Sequence, residues 1–587
     1  MSGYIAPLDD MRFVLRRLVG LDEVARLPGC EHATPDLVDQ VLEEAGRFAA
    51  NELAPLNASG DREGSRLENG VVFTPAGFKE AYRKFSDGGW TSLAFPAEWG
   101  GQGLPWTVAT AVSEMWHSAN MAFGLCPLLT EAAADALLKL GNDEQKRRYL
   151  PKLVSGEWTG AMCLTEPQAG SDVGALKTRA VRDGDHYRIT GTKIFITYGE
   201  HDLTENIIHM VLARMPDAPS GSKGISLFLV PKFLLNEDGS PGPRNDLRCV
   251  SLEHKLGIHA SPTCVMSFGD DGGAIGYLLG EEQGGMRAMF NMMNHARLAV
   301  GLEGLAIAER AYQGALLYAR DRVQGRRVDG ETARPAHIIE HPDVRRMLLT
   351  MRCQIEAMRA LVYTAAAALD GSVRAPDATE RERAQGRLDF LIPMVKAWCS
   401  DLGFEIASTA LQVHGGMGYI EETGAAQHLR DARINLIYEG TNGIQALDLA
   451  TRKLAQADGQ LPWMLMDELR ADLSALEKSE KEKSLLRPLA AALEAVEQAT
   501  RWMQANSDDP DSQAAGATPY LRLCATTLGA FLLARSALQA EMQDASPAAE
   551  KRTYAQFFVT QILPPAAALL AAITAGSAPL QIDLRST

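Results

Sequence analysis

Cys163-Leu-Thr-Glu-Pro-Gln-Ala-Gly-Ser-Asp172 marks the place where this chain changes character. Before it, from 34 to 158, apolar residues recur at helical spacing, opened by Thr34 as a cap and Pro35 as a first helical residue. After it come short runs rich in β-branched and aromatic residues at 181–189, 192–197, 207–213 and 225–231. Turn residues at Asp183-Gly184, Gly191 and Gly221 separate them. This pattern predicts a β domain of several strands ending near Gly280, with 232–247 as a long exposed loop. Helical spacing then returns from Gly284 to about Ala455, broken by a polar stretch at 371–379. Pro167 and Gly170 make the quoted stretch a rigid loop that a ligand can approach closely, and Thr165 and Ser171 offer hydroxyls. A purely structural turn has the same composition.

The ends of the chain add two pieces. A leader with Pro7, Pro28 and Gly29 carries one expected helix at 8–24. Beyond a linker at 458–463, an Ala/Leu-rich helical unit runs to the end. The expected division is 1–34, 35–160, 161–280, 281–457 and 464–587, and the fold class is α+β, mainly α.

Composition excludes several classes of function. With 587 residues, 46% apolar and 22% charged, this is an ordinary globular protein with ample core. A net charge of -16 argues against a general nucleic-acid surface. Eight Cys without a C-x-x-C pair or a Cys/His cluster argue for a reducing compartment, no disulfide framework and no metal site. The first twenty residues lack the apolar core of a signal peptide, and no uninterrupted apolar run is expected to span a bilayer. The nearest candidate, 557–576, is interrupted by Pro564-Pro565 and reads as a buried helix, so a soluble cytoplasmic protein is expected. Nucleotide-binding G-x-G-x-x-G and P-loop patterns are absent, as are H-E-x-x-H and G-x-S-x-G.

The second informative stretch is Ile434-Asn-Leu-Ile-Tyr-Glu-Gly-Thr-Asn-Gly-Ile-Gln445. Its apolar run reads as a strand delivering Tyr438 and Glu439 to a tight turn at Gly440, with Thr441 or Asn442 capping a following helix. A carboxylate among apolar neighbours has a raised pKa, which suits a base for a weakly acidic carbon. From spacing alone, Glu439 reads first as a Glu on a surface turn.

Four motifs in order settle the matter: Thr-Glu-Pro-x-Ala-Gly-Ser-Asp at 165–172, Gly-Thr-Lys-x-x-Ile-Thr at 191–197, Gln-Val-His-Gly-Gly-Met-Gly at 412–418 and Leu-Ile-Tyr-Glu-Gly-Thr at 436–441. From about 35 to 455 the chain resembles the acyl-CoA dehydrogenase family. The resemblance implies an N-terminal helical domain, a middle β-barrel domain and a C-terminal helical bundle, here with an extra C-terminal helical domain. It implies FAD as cofactor and an acyl-CoA substrate. Glu439 would take the α-proton while the β-hydride passes to the flavin, and the Glu439 backbone N–H would help stabilise the thioester oxygen. Some relatives carry their base in the segment matching Asn294-His-Ala-Arg297, where this chain has Ala296.

For the flavin, the resemblance implies Met162, Leu164, Thr165, Phe195, Thr197 and Thr441, with Ser171 serving the pyrophosphate or the CoA arm. Phe195 also reads as a strand-core residue. Arg322, Gln412, Gly415 and Gly416 would reach the FAD of a neighbouring subunit, so a homodimer is expected, a tetramer being the alternative. The substrate side would comprise Ser171, Asn294, Arg297, Tyr438, Glu439 and Gly440. An electron-transfer flavoprotein would accept the electrons, as opposed to O2 in an acyl-CoA oxidase. A DNA-associated flavoprotein of the same superfamily would need a basic C-terminal unit, and this one is slightly acidic.

Departures are also legible. Gln168 replaces a common Gly, Gly443 stands where relatives carry Gln or Glu, and Arg322-Val-Gln-Gly325 is one residue short. The leader, the insert in the β domain and the C-terminal unit resemble the subgroup typified by 3-(methylthio)propanoyl-CoA dehydrogenases.

Overall fold

The computed structural model describes residues 3–329, 332–542 and 548–583, with side chains described for all of these except 290–294, 328, 329 and 332. Two compact units emerge, one of Arg47–Leu104 and Ala119–Ala296, the other of Met1–Gly46, Pro105–Ser118 and Arg297–Thr587.

The first unit is built on an eight-stranded sheet in the order Leu247–Leu252, Thr263–Phe268, His186–Thr197, Ala274–Leu279, Ile225–Pro231, Ile207–Arg214, Thr159–Cys163. Arg179–Asp183 pairs with His186–Thr197 along its length and meets Ile207–Arg214 at Arg179 opposite Arg214. The pairing thus returns on itself and closes a barrel whose interior holds Ile189, Val211, Phe228, Val230, Met266 and Phe268. Along Ile207–Arg214 and Ile225–Pro231 nearly every residue is buried, so these strands are continuous apolar runs covered on both faces, and the side chains that point inward fill the barrel. The two runs expected on either side of Gly191 are one continuous strand. Thr190 pairs with Arg179 and Thr192 with Ser267, so both edges hold the backbone extended where a turn was expected.

Further local expectations are corrected. The stretch 232–247 contains a hairpin, Phe233–Leu235 with Pro241–Arg244, because Asn236, Asp238 and Ser240 bond one another into a turn. Arg66–Glu68 with Val71–Phe73 forms a hairpin inside the stretch expected to be wholly helical, its turn made by Asn69 and Gly70 at positive φ.

In the second unit, Pro342–Arg374 and Ala378–His414 pack as an antiparallel pair, with Asp377 capping the second. The portion of Gly285–Asp321 from Arg297 onward lies against Ala378–His414. At their crossing a Cβ on Gly304 would meet the Cys399 carbonyl oxygen at 2.3 Å, so only glycine permits this approach. Another hairpin, Val323–Asp329 with Thr332–His337, interrupts the helices where none was expected. The leader helix expected at 8–24 breaks at Gly20, which is left-handed at φ 76. Its Asp10 joins a buried ionic cluster with Arg352, Glu356 and Lys551 that ties the leader and the C-terminal unit to the helix Pro342–Arg374.

The C-terminal unit packs onto the same helices. Trp398 Nε1 donates to Thr526 Oγ1 at 3.1 Å, and Gly529 gives room for the Trp398 ring. The expected linker is shorter than 458–463, because a helix already begins at Leu461. Three helices, Met121–Leu140, Pro510–Met542 and Ala548–Thr574, are long and apolar enough to cross a membrane by length and composition. This corrects the expectation that no such run exists. The first two are 89% and 83% buried within the protein, as core helices are; the third is only 28% buried, against the expectation of a buried helix. Pro564-Pro565 does not interrupt it, since the prolines fall in a first turn just after the wide turn Phe558–Ile562, where a missing N–H costs little.

Candidate active site

In the second unit, the stretch around Glu439 is not a strand. Arg433–Leu436 is a tight 3-10 turn, in which Ile437 N donates to Ile434 O at 2.9 Å. With no neighbouring strand to pair, the β-branched residues fold on themselves and Ile437 stays exposed. Glu439 follows at φ 54 and Gly440 at φ 87, two consecutive left-handed residues. A glutamate in that region is strained and persists only where its surroundings over-determine it.

Those surroundings are specific. Thr441 caps the helix Asn442–Asp448, its Oγ1 accepting from Ile444 N at 3.3 Å. Asn442 anchors the turn: its Nδ2 donates to Asp401 Oδ1 at 2.7 Å and lies 3.0 Å from Ser400 Oγ, and its Oδ1 accepts from Lys396 Nζ at 2.8 Å. A Cβ on Gly440 would fall 2.7 Å from Gln445 Nε2 and 3.7 Å from Arg297 Nη2. Gly440→Ala is therefore expected to cost about 1–2 kcal/mol from the left-handed backbone alone. Displacing the neighbouring carboxylate should lower kcat by about 10²-fold. Denaturation midpoints and initial rates on the same variant separate the two effects.

Glu439 sits half-buried with four titratable neighbours. Desolvation raises its pKa, while Arg297 and Lys396 oppose the rise. Arg297 is buried, 3.7 Å from Asp448, and desolvation lowers its own pKa. Lys396, buried in the middle of its helix, is brought down to about 7 mainly by desolvation. Glu303 is fully buried; desolvation, then the Glu439 charge, push it up to about 8 against a hydrogen bond from the Tyr438 hydroxyl. Arg297, Tyr438 and Gly440, named from sequence, thus gather about Glu439. Asn294 belongs to the helix Gly285–Asp321, but its side chain, with those of Met292 and Met293, lies outside the described residues.

Glu303, Lys396 and Asn442 were missed as site residues. A signal existed for two of them, a lone Glu in Leu298–Ile307 and a lone Lys in Leu391–Trp398, each inside an otherwise apolar helical stretch. Asn442 was read only as a cap; Thr441 performs that role.

Near the other end of these helices, the Tyr318 ring lies tilted against His414, centroids 4.6 Å apart, one turn before Arg322 and next to Gly415. Arg322, Gln412, Gly415 and Gly416 are all exposed, and Tyr419 beside them is 85% exposed. A cavity of about 550 Å³ adjoins, lined by Tyr318, Asp321, His414 and His428 among others.

In the β-barrel unit, the loop after Thr159–Cys163 is clamped from below. Glu166 is buried and accepts from Lys193 Nζ at 2.8 Å, from Thr178 Oγ1 at 2.6 Å and from Lys177 N at 2.6 Å. Lys193 Nζ also donates to Leu164 O, and Ile194 N to Thr165 O, both at 2.9 Å. These bonds present Leu164 and Thr165 half-buried, with Met162 buried behind them and Ser171 exposed. The strand His186–Thr197 carries an extra residue here, since Ile196 and Lys193 face Cys264 and Met266. The bulge turns Phe195 outward at φ 60, leaving it 58% exposed, beside half-buried Thr197. Phe195 is therefore not a strand-core residue. An aromatic face, a Met and two threonines with loop backbone fit the apolar rings and polar edge of a flavin.

Comparisons with known proteins agree with this layout. Residues 36–157, 161–270 and 283–454 match the N-terminal, middle and C-terminal domain models of acyl-CoA dehydrogenases, and 465–582 match an acetyl-CoA dehydrogenase C-terminal-like model. The chain is 48% identical over 568 residues to 3-methylmercaptopropionyl-CoA dehydrogenase of Ruegeria pomeroyi, covering 95% of this chain and 96% of that one. It is 36% identical over 470 residues to a butyryl-CoA dehydrogenase of Syntrophomonas wolfei, covering 78% and 77%. In fold it resembles Caenorhabditis elegans ACDH-11 in complex with C11-CoA, at a TM-score of 0.78 and 21% identity over 96% of this chain and 93% of that one. An acyl-CoA dehydrogenase complexed with FAD from Bacillus anthracis gives a TM-score of 0.74 at 22% identity, over 94% and 89%. By motif order, by these four successive matches and by identity along nearly its whole length, the chain belongs to the acyl-CoA dehydrogenase family.

Proposed function

We propose that this protein is an FAD-dependent dehydrogenase that removes the α and β hydrogens of an acyl-CoA thioester, giving the trans-2-enoyl-CoA. The observation that carries the reading is Glu439 on its left-handed turn, with a pKa raised by desolvation and cations at Arg297 and Lys396. Bound FAD supplies the acceptor for the β-hydride. Glu439 is the base for the α-proton, and its backbone N–H stabilises the thioester oxygen as charge develops there. Phe195, Met162, Leu164, Thr165, Thr197 and Thr441 hold the flavin, and Ser171 serves the pyrophosphate or the CoA arm. Asn294, Arg297, Tyr438 and Gly440 line the substrate side.

Exposure of Arg322, Gln412, Gly415 and Gly416 together supports their serving the FAD of a second copy, which makes the working form a homodimer. Electrons leave to an electron-transfer flavoprotein; peroxide released in air without added acceptor would instead mark an oxidase. Two substrate readings follow from the relatives' names, 3-methylmercaptopropionyl-CoA and a short fatty acyl-CoA. Identity and coverage favour the first. Anaerobic flavin bleaching against a panel from short to long acyl-CoAs, with 3-methylmercaptopropionyl-CoA included, tests both. Fast bleaching by that thioester is expected; bleaching by none of the panel refutes the function.

A further inference from the structure

Glu303 has no part in the reaction as described, yet it lies beside the residues that do. It is 0% exposed, on the helix Gly285–Asp321 at the crossing that Gly304 permits. One carboxyl oxygen is hydrogen-bonded to the Tyr438 hydroxyl, which is also 3.3 Å from Asn435 Oδ1. The other, Oε1, has no hydrogen-bond partner among the described residues. An ionised carboxylate buried with one oxygen unbonded is costly, and a proton removes most of that cost.

The charged groups around it come from three elements. Glu439 and Tyr438 face it from the turn, Lys396 from the helix Ala378–His414, and Arg297 stands two turns back on its own helix. Asp401 lies behind Lys396, and Asp448 with Arg452 behind Arg297.

We propose that Glu303 is a positioning residue that holds a proton: neutral and bonded to Tyr438, it fixes the turn bearing Glu439 and leaves the base as the charged member of the pair. This rests on the function proposed above. Tyr438 precedes Glu439 directly, so anchoring its hydroxyl restrains the strained turn. Glu303 is fully buried with one oxygen unbonded, whereas Glu439 is half-buried and faces Arg297 and Lys396, which is why the proton of the pair resides on Glu303. Ionising Glu303 sets two like charges against each other across the Tyr438–Glu439 turn, which displaces the base from its strained position. Lys396 offsets this poorly, since it loses its own charge at about pH 7.

The expected consequence is an alkaline limb in kcat with a midpoint at about pH 8. Activity at pH 9 should be about tenfold below that at pH 7. Glu303→Gln, which keeps a neutral hydrogen-bonding group, should abolish that limb. Glu303→Ala should lose at least tenfold at pH 7 through a loosened turn. Infrared titration of the holoenzyme without substrate reads the proton itself: a protonated-carboxyl band should vanish near pH 8 in the wild type and be missing from Glu303→Gln. The band should titrate at lower pH in Glu439→Gln, where the neighbouring charge is gone. In Tyr438→Phe it should titrate at higher pH, because the bond that favours the anion is lost; this variant serves if Glu303 variants fail to fold. An alkaline limb that persists in Glu303→Gln, or a band that does not move in Glu439→Gln, overturns the proposal. If no acyl-CoA reduces the flavin at any pH, the functional reading fails, and the band shifts still decide the pairing.

Discussion

Glu439→Gln is expected to keep the yellow colour of bound flavin and to lose about 10²–10⁴-fold in the rate of acyl-CoA-dependent bleaching, the span that general bases ordinarily contribute. Gln matches the shape of Glu but cannot accept the α-proton. The effect should fall on kcat, with thioester binding retained, because the amide leaves the packing around Arg297 and Lys396 intact. The pH dependence has a definite sign. Glu439 acts only when ionised, and desolvation raises its pKa above that of an exposed Glu. Wild-type activity should therefore fall as pH drops through that raised value, at higher pH than a solvent-exposed carboxylate would give. Bleaching by the Gln variant at the wild-type rate would sink the assignment of the base.

The second large effect concerns stability. Arg359 is fully buried between two carboxylates: its Nη2 donates to Glu114 Oε1 at 2.7 Å and to Glu309 Oε2 at 2.8 Å, and Tyr363 donates to Glu114 Oε2 at 2.6 Å. These groups come from Trp106–Ala119, Gly285–Asp321 and Pro342–Arg374, so the cluster locks three helices. Arg359→Met fills similar volume but strands two buried anions, a loss of about 3–5 kcal/mol. Desolvation already raises the Glu114 pKa and Arg359 opposes it. Without the Arg, the folded-state pKa rises further above the unfolded value. The destabilisation relative to wild type is then smallest at low pH and grows as pH rises above the already raised wild-type Glu114 value towards the higher one of the variant. In that window the wild-type fold gives up the proton and the variant fold does not. Denaturant midpoints of wild type and variant at pH 5 and pH 7.5 check both magnitude and trend. Equal losses at the two pH values would show that packing, not charge, carries the effect.

How far the sequence reached can be seen from particular residues. The barrel strands Ile207–Arg214 and Ile225–Pro231 were legible to within a residue, because short β-branched and apolar runs bounded by turn residues are local signals. Ile434 to Leu436 misled, since β-branched residues mark a strand only where a partner strand waits, and here none does. The hairpin Val323–Asp329 with Thr332–His337 was hidden because its charged, Arg-rich strands carry no apolar alternation. Pro564-Pro565 looked like a break, yet a wide turn absorbs it.

The sequence by itself determined the order of the motifs, the acid on its glycine turn and the α–β–α succession, since each is written in residues near one another along the chain. Tertiary structure alone decided that Glu303 and Lys396 stand beside Glu439, and that Arg359 meets both Glu114 and Glu309. These partners lie tens to hundreds of residues apart, and only the depth and register of helix packing bring them within range of one another's charge. In a desolvated interior that range is long enough to reset which carboxyl holds a proton.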